Sequence, residues 1–450
     1  MISLEELSAR TGEPEEALDR WRKMGLVGAH ESESYRLEDV ERARLVQLLL
    51  RRGIGLEAIA RAEKERQLLG HYVEEIFPRG VRPRYSLAEA AELTGLSLES
   101  VRRFWRATGL SDQGDTLDDD DLDAMRAGKR ALDAGLPEEA LIQLLRVYAD
   151  TLSRAAEASQ RSFHIYVHER LRAQGMSAQE LMEASEAVGQ HTRPLVEPSI
   201  LYFLRKGSAR AMREDMVLHV AEEAGLLPPT DVPGKMDRAI AFVDLSSFTP
   251  LTEAMGDEKA AEVLERFSAL VRESAGRWDG RVVKQIGDAF MLVFPDARPA
   301  VACALEIEER TAAEPQFPSA RSGVHWGKVL YREGDYVGSS VNIASRVAGE
   351  AGRHQVLVTA AVRREAKGLD GVEFVRLGKR KVKGLSSDLV LFEARSAGVA
   401  GSEKAIDPVC GMEMGPEEVA ARLTQEGTEK AFCSDECLRK YVRAPEKYGG

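Results

Sequence analysis

The sequence predicts a multidomain chain: an all-α N-terminal half of helix-turn-helix repeats and a helical bundle, then an α+β domain, then a small Cys-containing α+β tail. Three observations lead there. One stretch recurs at an offset of 83 residues, the mark of a duplicated unit. Beyond about residue 234 apolar residues stop recurring at three- and four-residue steps and gather into short runs, which is strand texture. Three of the four cysteines, Cys410, Cys433 and Cys437, crowd the last 41 residues, a pattern that suits a metal better than a disulfide framework.

At 450 residues the chain has room for about two to four domains. Hydrophobic residues at 44% and charged ones at 30% exclude both a disordered polyelectrolyte and a membrane protein. Lys and Arg number 62 against 74 Asp and Glu, a net charge of −12. Such a chain has no general attraction for phosphate backbones, so nucleic-acid contact would need a local basic patch. No apolar run approaches the ~20 residues of a membrane span. Glu5 and Glu6 stand where a signal peptide would turn apolar. A soluble, cytoplasmic protein is expected.

The repeat matches Ser3-Leu4, Thr11-Gly12, Arg20-Trp21 and Gly25-Leu26 with Ser86-Leu87, Thr94-Gly95, Arg103-Phe104 and Gly109-Leu110. Each copy reads as a short helix, a turn at Thr-Gly, a second helix and a Gly-Leu stop. A helical hairpin follows, around Gly53 and Gly55 or around Gly135. From Pro137 to Glu223 the pattern stays helical, with Leu141, Leu144, Leu145, Tyr148 and Leu152 forming an amphipathic face. Pro228, Pro229 and Pro233 then break it. Strands are predicted at Ala239–Leu245, Arg281–Ile286, Ala289–Phe294 and Gln355–Thr359, and helices at Glu258–Glu273 and Pro299–Thr311. The expected division is 1–80, 81–224, a linker 225–234, 235–396, a linker 397–405, and 406–450.

The chemistry lies in carboxylates at strand ends. Ala241-Phe-Val-Asp244 is an apolar strand stopping at an acid, and Lys284-Gln-Ile-Gly287-Asp288-Ala is a hairpin presenting a second acid at its turn. A hairpin packed beside the first strand brings Asp244 and Asp288 together, where they repel unless a hard divalent cation, Mg²⁺ or Mn²⁺, neutralises them. Asp335-Tyr-Val-Gly338 reads as a loop entering a helix on which Asn342 and Arg346, four apart, share a face.

In order and internal spacing these segments resemble the class III adenylyl/guanylyl cyclase family over about residues 235–396. The resemblance implies an α+β catalytic domain of ferredoxin-like, palm type. It implies that Asp244 and Asp288 bind two metal ions, that Lys284 and Asp335 read the base, that Asn342 orients the ribose, and that Arg346 stabilises the reacting phosphorus. Lys383 is a further candidate phosphate contact. The site would lie between two catalytic domains, one giving the aspartates and the other the remaining four, so a head-to-tail homodimer is expected. Lysine only donates and aspartate only accepts, which complements adenine and mismatches guanine. ATP is therefore the expected substrate, with cyclic AMP and pyrophosphate as products.

The first repeat, down to Tyr35-Arg-Leu-Glu-Asp-Val40, resembles the MerR-type helix-turn-helix. Residues 1–80 nevertheless hold 13 Lys and Arg against 16 Asp and Glu, and the second copy carries Asp118-Asp119-Asp120-Asp121. DNA binding through Arg20, Arg22 and Lys23, or Arg102, Arg103 and Arg106, is thereby disfavoured. The second copy and the helices to about residue 223 resemble the regulatory domain of soluble bacterial cyclases. His164 and His168 on one helix face fit either ordinary surface histidines or a charge switch around neutral pH that biases dimer geometry. The tail, with Asp407-Pro-Val-Cys410-Gly-Met and Cys433-Ser-Asp-Glu-Cys437, resembles the YHS domain, related to TRASH-type metal modules. Its three thiols fit either a Zn²⁺ or Cu⁺ site or a buried-thiol core. A fold of ~45 residues rarely stands on its core alone, which favours the ion. The tail has no His, so a fourth ligand is left to water, a carboxylate or another chain. The rival functional reading is a metal- or nucleotide-sensing MerR-like transcriptional regulator using a cyclase-like domain for binding or dimerisation.

Overall fold

The computed structural model describes residues 1–28, 34–66, 69–70, 72–73, 85–109, 116–225, 232–382, 388–397, 404–425 and 428–448. The expected linkers and Lys383 fall largely or wholly outside them. The chain divides into two units, residues 1–227 and 228–450. No described helix is long and apolar enough to cross a membrane.

In the first unit both repeats fold as read. Helix α1 (Leu4–Thr11) begins at Ser3, whose side chain accepts the Glu6 N–H, and stops at Gly12 with φ +71. Helices α2 (Glu15–Lys23), α3 (Leu37–Arg51) and α4 (Leu56–Arg66) follow, closing a core of Leu7, Leu18, Trp21, Leu26 and Tyr35. In the second copy Tyr85–Ser86 (β1) and Thr116–Leu117 (β2) pair beside α5 (Leu87–Thr94) and α6 (Leu98–Ala107). Gly95 at φ +70 repeats the stop at Gly12. The Asp118–Asp121 run belongs to the start of α7 (Asp119–Asp133): the Asp118 side chain accepts the Asp120 and Asp121 N–H groups. Carboxylates there suit the positive end of the helix dipole.

Helix α8 (Glu138–Phe163) runs through a π-helical turn, His164–His168, into α9 (Glu169–Ala173), and α10 (Ala178–Glu223) follows. Along α10, Leu195, Tyr202, Phe203, Met212, Met216 and Val217 are exposed. So broad an apolar display on one long helix is uncommon on a monomer's surface.

The second unit is built on an eight-stranded sheet. Its strands are β3 (Lys235–Leu245), β4 (Arg281–Ile286), β5 (Ala289–Phe294), β6 (Ala320–Arg332), β7 (Asp335–Val337), β8 (Gln355–Thr359), β9 (Val372–Arg380) and β10 (Leu389–Ser396), in the order β4-β5-β3-β6-β8-β10-β9 with β7 paired to β6. Strand β3 lies between β5 and β6, antiparallel to both. Its successive side chains enter two cores. Ala239, Ala241 and Val243 pack with α12 (Asp257–Arg277) and α13 (Ala297–Ala313), while Ile240 and Phe242 pack with α14 (Ser339–Glu350). Burial on both faces is why this strand reads as an unbroken apolar run.

Strands β6, β9 and β10 lie outside the predicted set, and Asp335 sits differently from expectation. The central strand β6 escapes the apolar-run signal because Arg321, Gly323, His325, Gly327 and Lys328 interrupt it. The glycines are there for α14: a Cβ on Gly323 would lie 2.0 Å from the Ala348 nitrogen, and one on Gly327 2.7 Å from Ser340 Oγ. Asp335 does not sit in a loop but on β7, paired with Arg332 across a two-residue turn. Glu333 and Gly334 both have positive φ there, as a tight hairpin of this twist requires.

The tail comprises β11 (Ala405–Ile406), β12 (Glu413–Met414), β13 (Ala421–Gln425), β14 (Thr428–Phe432) and α16 (Asp435–Arg443). It shares one apolar core with the sheet domain, Val409, Met412, Met414 and Phe432 joining Phe267 and Phe317. His354 clasps the two parts, its Nδ1 2.7 Å from Glu308 on α13 and its Nε2 bonded to Glu413 of the tail, with Arg353 also 3.8 Å from Glu413. Burial opposes the charged ring, but the bonds to Glu308 and Glu413 prevail and push it up to about 9. A pKa raised by folding gives stability that is complete below the unfolded value of about 6.5 and is lost as pH climbs through the folded value. Protection of the Glu413 segment in hydrogen exchange is therefore expected to fall between pH 7 and 9 beyond the intrinsic rate change, and His354→Gln to flatten that fall.

Candidate active site

Asp244 is the penultimate residue of β3 and Asp288 the second residue of the β4–β5 turn, where Ile286 pairs with Ala289 and Gly287 takes φ +63. The hairpin lies against β3 through β5 and brings the two acids together. Burial first, then the charge of Asp244 and a hydrogen bond to it, push Asp288 up to about 6. Two carboxylates brought this close, with Asp288 disfavoured as an anion by its neighbour, could seat a hard cation on oxygen ligands alone.

A cation that the residue pattern did not single out also stands here. Arg321 faces Asp244 across the β3–β6 ladder and donates from Nη2 at 2.6 Å and Nε at 3.1 Å to Asp244 Oδ2. Its signal in the sequence is only a charge inside a strand that was not recognised as one.

Lys284 on β4 and Asp335 on β7, 51 residues apart, are joined by a hydrogen-bonded ion pair, with both side chains over a third exposed. The Asp335 second oxygen accepts the Tyr336 N–H at 2.8 Å, which fixes the carboxylate plane. Asn342 and Arg346 are exposed on α14, while Ser340, Ala344, Val347 and Ala348 form its buried face. They thus point away from their own core.

In the tail, Cys410 Sγ lies 3.5 Å from Cys433 Sγ, which lies 3.7 Å from Cys437 Sγ. Thiolates around a tetrahedral ion at about 2.3 Å would stand about 3.8 Å apart, so the spacing fits. The residue missed is Asp407. A carboxylate oxygen of it lies within 4.8 Å of all three sulfurs. Its Oδ1 accepts the Val409 N–H at 2.8 Å and its Oδ2 the Cys433 N–H at 2.8 Å, so one buried acid orients both cysteine loops. Hydrogen bonds to Cys433 and Cys437, then burial, hold the Cys410 thiol far above its ordinary value, whereas bonds from Cys410 and Cys433 hold Cys437 well below. One thiolate is thus favoured, and a second and third need a cation.

Of the basic residues on the helix-turn-helix units, Arg22 and Lys23 each lie 2.7 Å from Asp19, and Arg103 bridges Glu138 and Glu139 at 2.7 and 2.6 Å. At the π-helical turn the His164 and His168 rings stack with centroids 5.0 Å apart, and both face Glu169 at 3.4 and 3.9 Å.

Four family models match the chain: MerR HTH family regulatory protein over residues 2–65, adenylate cyclase regulatory domain over 36–212, adenylate and guanylate cyclase catalytic domain over 233–393, and YHS domain over 405–450. The regulatory match begins inside the first repeat. The pH-sensitive adenylate cyclase MT1302 of Mycobacterium tuberculosis (strain CDC 1551 / Oshkosh) is 33% identical over 373 residues, covering 79% of this chain and 88% of its own. An adenylate cyclase of Streptomyces coelicolor is 32% identical over 291 residues, 64% of this chain and 72% of its own. Among solved structures, the adenylyl cyclase CyaB from P. aeruginosa covers 37% of this chain and 98% of its own at 21% identity and a TM-score of 0.33. With the catalytic-domain match and a relative one-third identical across most of both chains, the protein belongs to the class III adenylate cyclase family of enzymes.

Proposed function

We propose that the protein converts ATP to 3′,5′-cyclic AMP and pyrophosphate as a cytoplasmic head-to-tail homodimer, with residues 235–396 as the catalytic domain, 1–224 as regulator and 406–450 as a metal-binding tail. The observation that carries the base assignment is the Lys284–Asp335 pair, one donor beside one acceptor at the edge of the sheet. Adenine offers a ring-nitrogen acceptor and an amino donor to it. Guanine meets donor with donor, leaving groups unpaired once the base covers them, at about 1–3 kcal/mol each. Asp244 and Asp288 would hold two Mg²⁺ or Mn²⁺ ions, which supply activation of the attacking oxygen and charge neutralisation at the phosphates. The ribose 3′-oxygen bonds to the α-phosphorus, its proton leaves to solvent, and the bond to the bridging oxygen of the β-phosphate breaks. Asn342 orients the ribose, and Arg346 lies against the charge that builds on the α-phosphate. Lys383 stays a candidate phosphate contact.

The placement of Asn342 and Arg346 on an outward helix face supports their service to the partner's aspartates. The exposed apolar length of α10 supports dimerisation through the regulatory half. The net acidity of residues 1–80 and the ion pairs of Arg22, Lys23 and Arg103 count against the transcriptional-regulator reading. One relative is named for pH sensitivity, and the His164–His168–Glu169 turn is where this chain would respond.

The test is cyclic nucleotide formation from ATP and from GTP with Mg²⁺ or Mn²⁺, between pH 5.5 and 8. Cyclic AMP is expected, with Lys284→Met costing about 10- to 100-fold in kcat/KM for ATP and narrowing its lead over GTP. Cyclic GTP-derived product in excess would overturn the base assignment. A pH profile identical in His164→Gln/His168→Gln would remove the role of the π-helical turn.

A further inference from the structure

The tail cluster and the active site meet on one short helix. Helix α11 (Phe248–Met255) starts just after Asp244, and the tail holds both its ends. At the first end Ser247 has φ +67, and the neighbouring Ser246 Oγ is buried without a hydrogen-bond partner among the described residues. A serine persists in that left-handed conformation only where its surroundings over-determine it. Those surroundings are Gly411 and Arg353. A Cβ on Gly411 would lie 2.5 Å from Ser247 Cβ, so only glycine allows the approach. Arg353 donates to the Gly411 carbonyl at 3.0 Å and to Ser247 Oγ at 2.5 Å. At the other end Lys440 donates to the Ala254 carbonyl and Lys447 pairs with Glu253 at 3.2 Å.

The two grips are continuous with the two cysteine loops. Gly411 follows Cys410, and Lys440 lies one helical turn beyond Cys437 on α16. A change in how Cys410 and Cys437 are held would thus reach both points that hold α11, and with them Ser246 and Ser247, which follow the end of β3.

We propose that the tail is an allosteric metal site of this enzyme. A soft d¹⁰ cation, Zn²⁺ or Cu⁺, held by Cys410, Cys433 and Cys437 with Asp407 orienting their loops, fixes α11 and the Asp244 loop, so that occupancy raises turnover and loss lowers it. The proposal rests on the catalytic and tail readings above. A modest coupling free energy between the two sites is enough for such an effect.

The test uses the full-length chain, freed of metal under reducing conditions. It is titrated with Co²⁺ as a spectroscopic stand-in for Zn²⁺, with Zn²⁺ itself, and separately with Cu⁺. Hydrogen exchange across residues 245–255 and turnover at saturating Mg²⁺ are followed together. A thiolate-to-cobalt band saturating at one ion per chain is expected, with slowed exchange in that segment and turnover raised about 5- to 10-fold. A response to Zn²⁺ at lower free concentration than to Cu⁺ identifies the divalent ion, and the reverse order the monovalent one. Cys437→Ser should remove band and response together. Arg353→Ala should keep the band and lose the slowed exchange and the turnover response. No thiolate band in the wild type overturns the site, and a band with unchanged exchange and turnover overturns the coupling. Because exchange is read without catalysis, a chain that forms no cyclic nucleotide defeats the catalytic reading and leaves this one to be decided by the exchange data.

Discussion

Asp288→Asn is expected to melt higher than the parent protein and to form cyclic nucleotide more than about 100-fold more slowly. The two effects share one cause. Burial and the charge of Asp244 work against ionised Asp288, pushing it up to about 6, so at neutral pH the metal-free native state carries a repulsion that the unfolded chain does not. Removing the charge and keeping the shape relieves it, by about 1–2 kcal/mol once partial exposure to solvent is allowed for. On the mechanism proposed above, the same change also takes away a cation ligand. Since even the outer partners of metal ligands cost about 10- to 100-fold when lost, turnover should fall by more than about 100-fold. Calorimetry without divalent cation and a product assay with it check both halves. A variant that loses activity and also melts lower would show that Asp288 serves the fold rather than the reaction.

Mixing two inactive variants is expected to restore activity. Asp244→Ala keeps Asn342 and Arg346 intact, and Arg346→Ala keeps both acids. If each site draws on two chains, a heterodimer of these variants holds one site with every group and one with neither set. At equal mixing about half the dimers are mixed, so about a quarter of the wild-type rate is expected. Each variant alone should run below about a hundredth, an Arg set against developing charge being worth at least that. Product formation against mixing ratio gives a bell with its maximum at equality. A flat line at zero, with exchange of subunits confirmed by a tagged copy, would place all six residues in one chain's own site. Arg346 is the safer of the two changes structurally, being exposed on α14.

Much of this site was legible in residue order because its chemistry is tied to short-range geometry. An apolar strand ending in Asp244, a Gly-Asp turn at Asp288 and a four-residue step from Asn342 to Arg346 each follow from local rules. The strands at Arg281–Ile286, Ala289–Phe294 and Gln355–Thr359 took the predicted bounds for the same reason. Strand β6 was hidden because its composition answers to α14 and the site rather than to a period. Gly323 is dictated by the Ala348 backbone, and Arg321 by Asp244. Asp407 stands in the tail motif, but which carboxylate joins the cysteines depends on the fold, which shows it holding the amide of Cys433, 26 residues on. Arg353 and His354 carry no local signal at all, since their partners lie in a different part of the chain.

The shared core between sheet and tail has a consequence for when the enzyme becomes complete during its synthesis. Lys440 and the Ala254 carbonyl it grips are 186 residues apart in the chain. At about 5–20 residues per second of translation, the start of the catalytic domain waits roughly 10–40 s for the segment that closes over it. Throughout that interval the apolar surface later covered by Val409, Met412 and Phe432 faces the ribosome's surroundings. Until residues 405–448 are made that surface lacks its cover, and exposed apolar surface of this kind is prone to aggregate.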